Sequence, residues 1–190
     1  RMQLLQPDLP KSLLKIGHKP YLDHLIEFAA SQGISNFYLL TGYLNEKIEH
    51  FLQSRPKNPA LAIQIQKEEH RLGTAGAASR WFSKHDSPYL LVANADTFFD
   101  FPLKEFLQQA LELLKAGRAK AVLSLATATG NRYGKVETQG KMVSQFFRPN
   151  EGPANLQVTE AGFTLLHRSC LQETLRLPSF FSEDVYPKLA

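Results

Sequence analysis

A single carboxylate stands where an apolar run stops: in "PYLLVANADTFFDF" the chain passes from Pro88 through Ala93 into Asn94, Ala95 and Asp96, then into further aromatics. At the end of a buried strand, with polar Asn94 before it and the Thr97 hydroxyl after it, Asp96 suits a hard cation such as Mg²⁺, held by one or two carboxylates and by substrate phosphates. The same residue could instead cap the next turn or end the strand in solvent. A second candidate is "RLGTAGAAS", where Gly73, Thr74 and Gly76 let the backbone approach a ligand at a helix start, or simply let elements pack closely. The third is Lys11 in "PDLPKSLLKIGHKP". Pro10 restricts the backbone beneath it and helps aim its ammonium at phosphate, the alternative being a solvated surface lysine. The dinucleotide fingerprint G-x-G-x-x-G is absent, which disfavours nicotinamide chemistry.

The elements that must position these residues alternate between strand-like runs and amphipathic helices, the pattern of βαβ units. Tyr21, Leu22, Leu25, Ile26, Phe28 and Ala29 recur at helical spacing, and Gly33 supplies a left-handed stop. "NFYLLTG" reads as a buried strand, followed by a helix through Ile48 and Phe51, and "LAIQIQ" as the next strand. "GTAGAASRWF" opens a helix with Thr74 as its expected N-cap, and "PYLLVA" is a third central strand. A periodic helix from Leu103 to Leu114 closes at Gly117, and "AKAVLSLATA" returns to strand. Beyond it, "YGKVETQGKMVSQFF" alternates around Gln139-Gly140 as a hairpin, and "AGFTLLHR" is one more strand. The expected fold is therefore α/β: a Rossmann-like, mainly parallel central sheet with helices on both faces and a small antiparallel extension.

With 190 residues, 43% of them hydrophobic, the chain can bury a substantial core, and residues 1–190 are expected to form one domain without an internal boundary. No apolar run reaches the ~18 residues that cross a bilayer. The start, "RMQLLQPDLPK", lacks the apolar core of a secretory signal. Cys170, the single cysteine, rules out an internal disulfide, fits a reducing cytoplasm, and is expected to be a core residue. The net charge of +4 comes from scattered, mixed charges, which points toward an anionic small ligand. A basic stripe with interleaved aromatics is missing, so neither nucleic acid nor a membrane is expected as partner. Arg1 precedes Met2, and a sheet whose first element is a helix lacks an opening strand; both lead us to expect sequence upstream of residue 1.

Taken in order, these segments resemble the sugar-1-phosphate nucleotidyltransferases. "PDLPKSLLKIGHKPYLDHLI" is similar to the end of that family's signature, in which a glycine loop and an arginine precede Pro-Lys; "TGYLNEKIEHF", "KEEHRLGTAGA", "NADTFFDF", "NRYGKVE" and "SEDVYPKLA" match further segments. The resemblance implies the nucleotide-diphospho-sugar transferase type of fold. It also implies cytoplasmic nucleotide-sugar synthesis for cell-surface polysaccharide, with a nucleoside triphosphate and a sugar 1-phosphate as partners and homo-oligomer formation left open. The heptose-1-phosphate and mannose-1-phosphate guanylyltransferases are the most similar branches, which favours GTP. By the same resemblance Arg1 and Lys11 are catalytic and hold the phosphates, Asp96 binds Mg²⁺, and Glu68, Gly73 and Thr74 lie at the nucleotide. Gly134, Arg148, Glu160 and Gly162 then form the sugar-phosphate side.

Departures accompany the match. Ala95 stands where the family has glycine, Phe147-Arg148 where it has Glu-Lys, and Glu160-Ala161-Gly162 where it has Asn-Ala-Gly; the family's second metal aspartate is not found by Ala190. Two other readings follow. A nucleotide-sugar-dependent glycosyltransferase also holds a metal at a strand end, but leaves Pro10-Lys11 unexplained. A non-catalytic sugar-nucleotide sensor accommodates Phe147 and Glu160.

Overall fold

The computed structural model describes residues 8–97, 100–127, 134–148, 150–171 and 177–189. It divides into two compact units, Arg1–Arg71 with Ala95–Lys104, and Leu72–Asn94 with Glu105–Ala190.

In the first unit a short turn of 3₁₀-helix, Lys11–Leu13, leads into a small antiparallel ribbon of β1 (Lys15–Ile16) and β2 (Lys19–Pro20), and then into α1 (Tyr21–Ser31). Strands β3 (Asn36–Thr41) and β4 (Ala62–Lys67) pair in parallel from Asn36↔Ala62 to Thr41↔Lys67, with α2 (Asn45–Ser54) as the crossover. Alternation along the strands puts Phe37, Leu39, Ile63 and Ile65 on one face, where they pack with Leu22 and Ile26 of α1, Ile48 of α2 and Leu13. Each large aliphatic side chain buried there stabilises the unit by about 1.5–3 kcal/mol. Arg55, just past α2, donates through Nε to Asp23 of α1 at 2.6 Å, a pair only 11% and 14% exposed.

The second unit holds α3 (Gly73–Lys84), most of α4 (Leu103–Lys115), the short α5 (Tyr186–Leu189), and a sheet of β5 (Tyr89–Ala93), β6 (Ala121–Thr127), β7 (Lys135–Gln139), β8 (Met142–Phe147) and β9 (Val158–His167). The α4 stripe of Phe106, Leu107, Ala110, Leu111 and Leu114 packs with Tyr89 and Leu91 of β5, Val122 of β6 and Leu165 of β9. Arg168 closes the far end of α3, donating through Nη2 to the carbonyls of Phe82 (2.9 Å) and His85 (3.2 Å).

The α/β expectation holds, whereas a single mainly parallel sheet is not seen among the described residues, whose strands fall into separate parallel and antiparallel sheets. Among the described residues the β3–β4 pair is parallel, whereas β9 pairs antiparallel with β5, β6 and β7, and β8 pairs antiparallel with β7. The reason is the place of β9. Its run Ala161–Leu166 is wholly buried, too apolar for an edge, and it lies between β5 and β6, which therefore run in the same direction without pairing with each other. The expected hairpin does form at β7–β8, turning through Gly140 at φ +63°. Where β6 meets β9 the register slips between Leu123 and Leu125. There the buried Ser124 hydroxyl donates to the Phe163 carbonyl at 2.9 Å and accepts from its N–H at 3.1 Å, replacing the lost ladder bonds.

Candidate active site

In the first unit, Pro10 does position Lys11. Its extended backbone (φ −57°, ψ 140°) starts a tight turn in which the Leu13 N–H donates to the Pro10 carbonyl at 2.9 Å, and buried Leu13 anchors the turn in the core. The Lys11 ammonium then lies 3.6 Å from a carboxylate oxygen of Asp96, and both side chains are about half exposed (47% and 51%). So the structure brings together two residues that lie far apart in sequence and carry opposite charge at a solvent-accessible point. Asp96 sits in a turn just after β5, where the Thr97 carbonyl accepts a hydrogen bond from the buried Tyr21 hydroxyl. Burial, with the Asp96 charge added, pushes the Tyr21 phenol up to about 12, so it stays a donor at any working pH. Among the described residues no group of three or more His, Cys, Asp and Glu side chains could hold a metal. A lone accessible carboxylate fits a hard ion that takes its remaining oxygens from water and phosphate, and does not fit a closed structural metal site.

Glu68 follows β4; its N–H donates to the Thr41 carbonyl at 2.7 Å, and a carboxylate oxygen lies 3.8 Å from where a side chain on Gly42 would begin. It therefore borders the loop after β3. Arg1 lies outside the described residues.

The second unit corrects one reading of "LGTAGA". Thr74 is not the N-cap: Leu72 holds that position, two residues earlier, and α3 starts at Gly73 with no side-chain cap. Its cap is main chain. The Ser179 carbonyl accepts from the N–H groups of Ala75 (3.0 Å) and Gly76 (3.3 Å), the Ser179 N–H donates to Leu72 (2.8 Å), and the Thr74 hydroxyl accepts from the Phe181 N–H at 3.3 Å. Gly73 adopts φ +73°, and a Cβ there would lie 2.8 Å and 2.9 Å from the Ser179 carbonyl carbon and nitrogen. Close backbone approach is real at Gly73, but the neighbour is Ser179 of the same chain.

Glu160 precedes the slip in register, and its carboxylate accepts the Gly162 N–H at 2.9 Å, so two of the expected sugar-side residues form one loop motif. Burial holds the Glu160 carboxyl above its ordinary range, only partly offset by that N–H. Gly134 faces the chain: a Cβ there would lie 2.8 Å from both the Phe146 ring and the Phe147 carbonyl, and the Gly134 carbonyl accepts from Thr159 at 2.7 Å. Arg148 is exposed, with Nη2 3.1 Å from the Glu183 carbonyl. Phe147 packs against Gly152, where an added Cβ would lie 2.7 Å from its ring.

Three residues of these surroundings escaped the sequence reading. Tyr21 reads in the sequence only as one residue of a helix face and Tyr186 is not singled out there, yet the Tyr186 hydroxyl shares a 2.8 Å hydrogen bond with Thr164, and burial and the Glu160 charge raise its phenol strongly. Lys135 opens β7 next to the fully buried Val136 and is itself buried; its ammonium donates to the Pro153 carbonyl at 2.8 Å, holding down the loop after β8. No alternation in "YGKVE" marks it, because two successive residues are buried there.

Comparison with known proteins places the chain in a family. The family model described as nucleotidyl transferase matches residues 1–175. The D-glycero-alpha-D-manno-heptose 1-phosphate guanylyltransferase of Aneurinibacillus thermoaerophilus is 29% identical over 98% of this chain and 80% of its own length. A mannose-1-phosphate guanyltransferase of Hypocrea jecorina is 28% identical over the whole of this chain and 52% of its own, so the chain spans about half of that relative. Among solved structures, HddC from Yersinia pseudotuberculosis has the same fold, with a TM-score of 0.80 at 21% identity over 100% of this chain and 81% of that one. The same protein complexed with GMP-PN gives 0.78 over 96% and 78%.

Proposed function

This chain belongs to the nucleotidyl transferase family, and from that premise we propose that it joins a nucleoside triphosphate to a sugar 1-phosphate, with GTP and heptose or mannose 1-phosphate as the favoured pair. The observation that carries the reading is the Lys11 ammonium 3.6 Å from the Asp96 carboxylate. A phosphate oxygen of the sugar phosphate attacks the α-phosphorus; the bond from that phosphorus to the β-phosphate oxygen breaks, and pyrophosphate leaves with the electron pair. The nucleophile is already an anion, so the protein needs no strong base. Its task is to position reactants and offset charge. Lys11, held only by an exposed ion pair of small net worth, turns from Asp96 to the reacting phosphates when they arrive. Asp96 would hold Mg²⁺, which when bound neutralises phosphate charge and polarises the phosphoryl oxygens.

On the sugar side, Glu160 and Gly162 form a part-buried acceptor motif suited to sugar hydroxyls, and Arg148 supplies the accessible cation. Arg1 is assigned to the triphosphate, and Glu68, Gly73 and Thr74 to the nucleotide side, by family resemblance. The packing of Phe147 on Gly152 favours one other reading, a protein that binds the sugar nucleotide without turnover, because a carboxylate expected there has become a structural ring. Pyrophosphate release by the full-length protein, measured for the five common nucleoside triphosphates with heptose, mannose and glucose 1-phosphates, tests both. Release with GTP and heptose or mannose 1-phosphate supports the guanylyltransferase reading; another productive pair corrects the substrates. Binding without release from any pair supports the sensor.

A further inference from the structure

We propose that Tyr21 is a positioning residue for the reaction: by donating its hydroxyl to the Thr97 carbonyl, it fixes the turn that aims the Asp96 carboxylate. The inference rests on Asp96 being a metal ligand. Asp96 itself is loosely held, since its side chain is half exposed and its ion pair with Lys11 is long. Tyr21 is the opposite, 5% exposed and fixed at both ends. At the backbone, it is the first residue of α1, Pro20 precedes it, and its N–H donates to the Leu14 carbonyl at 2.9 Å, just beyond the Lys11 turn. At the tip, its hydroxyl reaches the residue next to Asp96, 76 positions along the chain. One side chain thus ties the segment carrying Lys11 to the segment carrying Asp96.

A second tether lies two turns further along α1, where the Phe28 ring meets Phe101 at 6.4 Å between centroids, so the helix holds the chain at two points just after Asp96. Packing alone would need only the ring, and a phenylalanine at position 21 would supply it. What the oxygen adds is a directional bond to one carbonyl. A ligand on an exposed turn loses affinity when its backbone is free to wander, because binding must then order it.

The test is binding of Mn²⁺ with GTP and no sugar phosphate, so that nothing turns over, followed by electron paramagnetic resonance of the bound ion. It is run on the folded fraction of wild type, Tyr21→Phe, Tyr21→Leu and Asp96→Asn. Loss of one directional hydrogen bond should weaken Mn²⁺ binding by Tyr21→Phe about three- to tenfold, with the melting temperature lowered by only about 1–6 °C. Tyr21→Leu should weaken it at least as much. Mn²⁺ affinity that is unchanged in both Tyr21 variants while Asp96→Asn loses it overturns the inference and leaves the metal assignment standing. Affinity unchanged in Asp96→Asn overturns both.

Discussion

Replacing Gly73 by alanine separates a glycine that faces its own chain from one that faces a nucleotide. At φ +73° a side chain costs roughly 1–2 kcal/mol before any contact is made. The new Cβ then meets Ser179 main chain, which cannot swing aside as a side-chain tip could. Moving Ser179 breaks the bonds its carbonyl accepts from Ala75 and Gly76 and the one its N–H gives to Leu72, each worth about 0.5–1.5 kcal/mol net. The combined loss is about 2.5–6.5 kcal/mol, and in a chain of this size each kcal/mol lowers the melting temperature by about 2–4 °C. Gly73→Ala should therefore melt about 5–26 °C below wild type by circular dichroism, without any ligand present. A shift under about 2 °C would refute this reasoning and leave nucleotide contact as the reason for a glycine at this position.

Asp96→Asn removes charge but not size, so turnover measured as pyrophosphate release should fall on the order of 10²-fold while the melting temperature holds; wild-type activity at limiting Mg²⁺ would contradict the metal role. For Glu160, the folded protein keeps the proton to higher pH than the unfolded chain, so stability falls as pH rises from the ordinary glutamate range through the raised value. Glu160→Gln keeps an acceptor for the Gly162 N–H and removes that loss. Its melting temperature relative to wild type should climb from pH 4 to pH 8, and a constant difference would count against burial as the cause. Burial also pushes the Cys170 thiol up to about 12, with Lys120 only partly opposing it. A disulfide reagent at pH 8 should leave the native thiol unlabelled and react on unfolding; rapid native labelling would show it accessible.

What could be read from the residues was mainly what depends on local period. The stripe from Phe106 to Leu114 and the pattern from Tyr21 to Ala29 appear as α4 and α1 because burial repeats every third or fourth residue. The Gln139-Gly140 turn was legible because few residues adopt its positive φ. Strand order was not, since nothing within "AGFTLLHR" says which strands will flank it. Thr74 satisfied every local rule for an N-cap and lost the role to a carbonyl more than a hundred positions away, a competition no local pattern encodes. At the candidate site each of Lys11 and Asp96 had an ordinary surface reading, and the family likeness made the pair meaningful before their 3.6 Å approach was seen. Tyr21 was hidden because its partner is a main-chain carbonyl, which leaves no mark on residue type.

The place of β9 has a consequence for how the polypeptide is made. Strands β5 and β6 emerge from the ribosome well before Val158–His167, the segment that must lie between them. Through that interval each carries an unpaired edge, and the two can wrongly join each other or another nascent chain. The β3–β4 pair is different: it closes across a single helix and can assemble as soon as Lys67 is clear. High contact order thus falls on the later-made sheet, whose assembly should set the pace of folding and the chaperone demand.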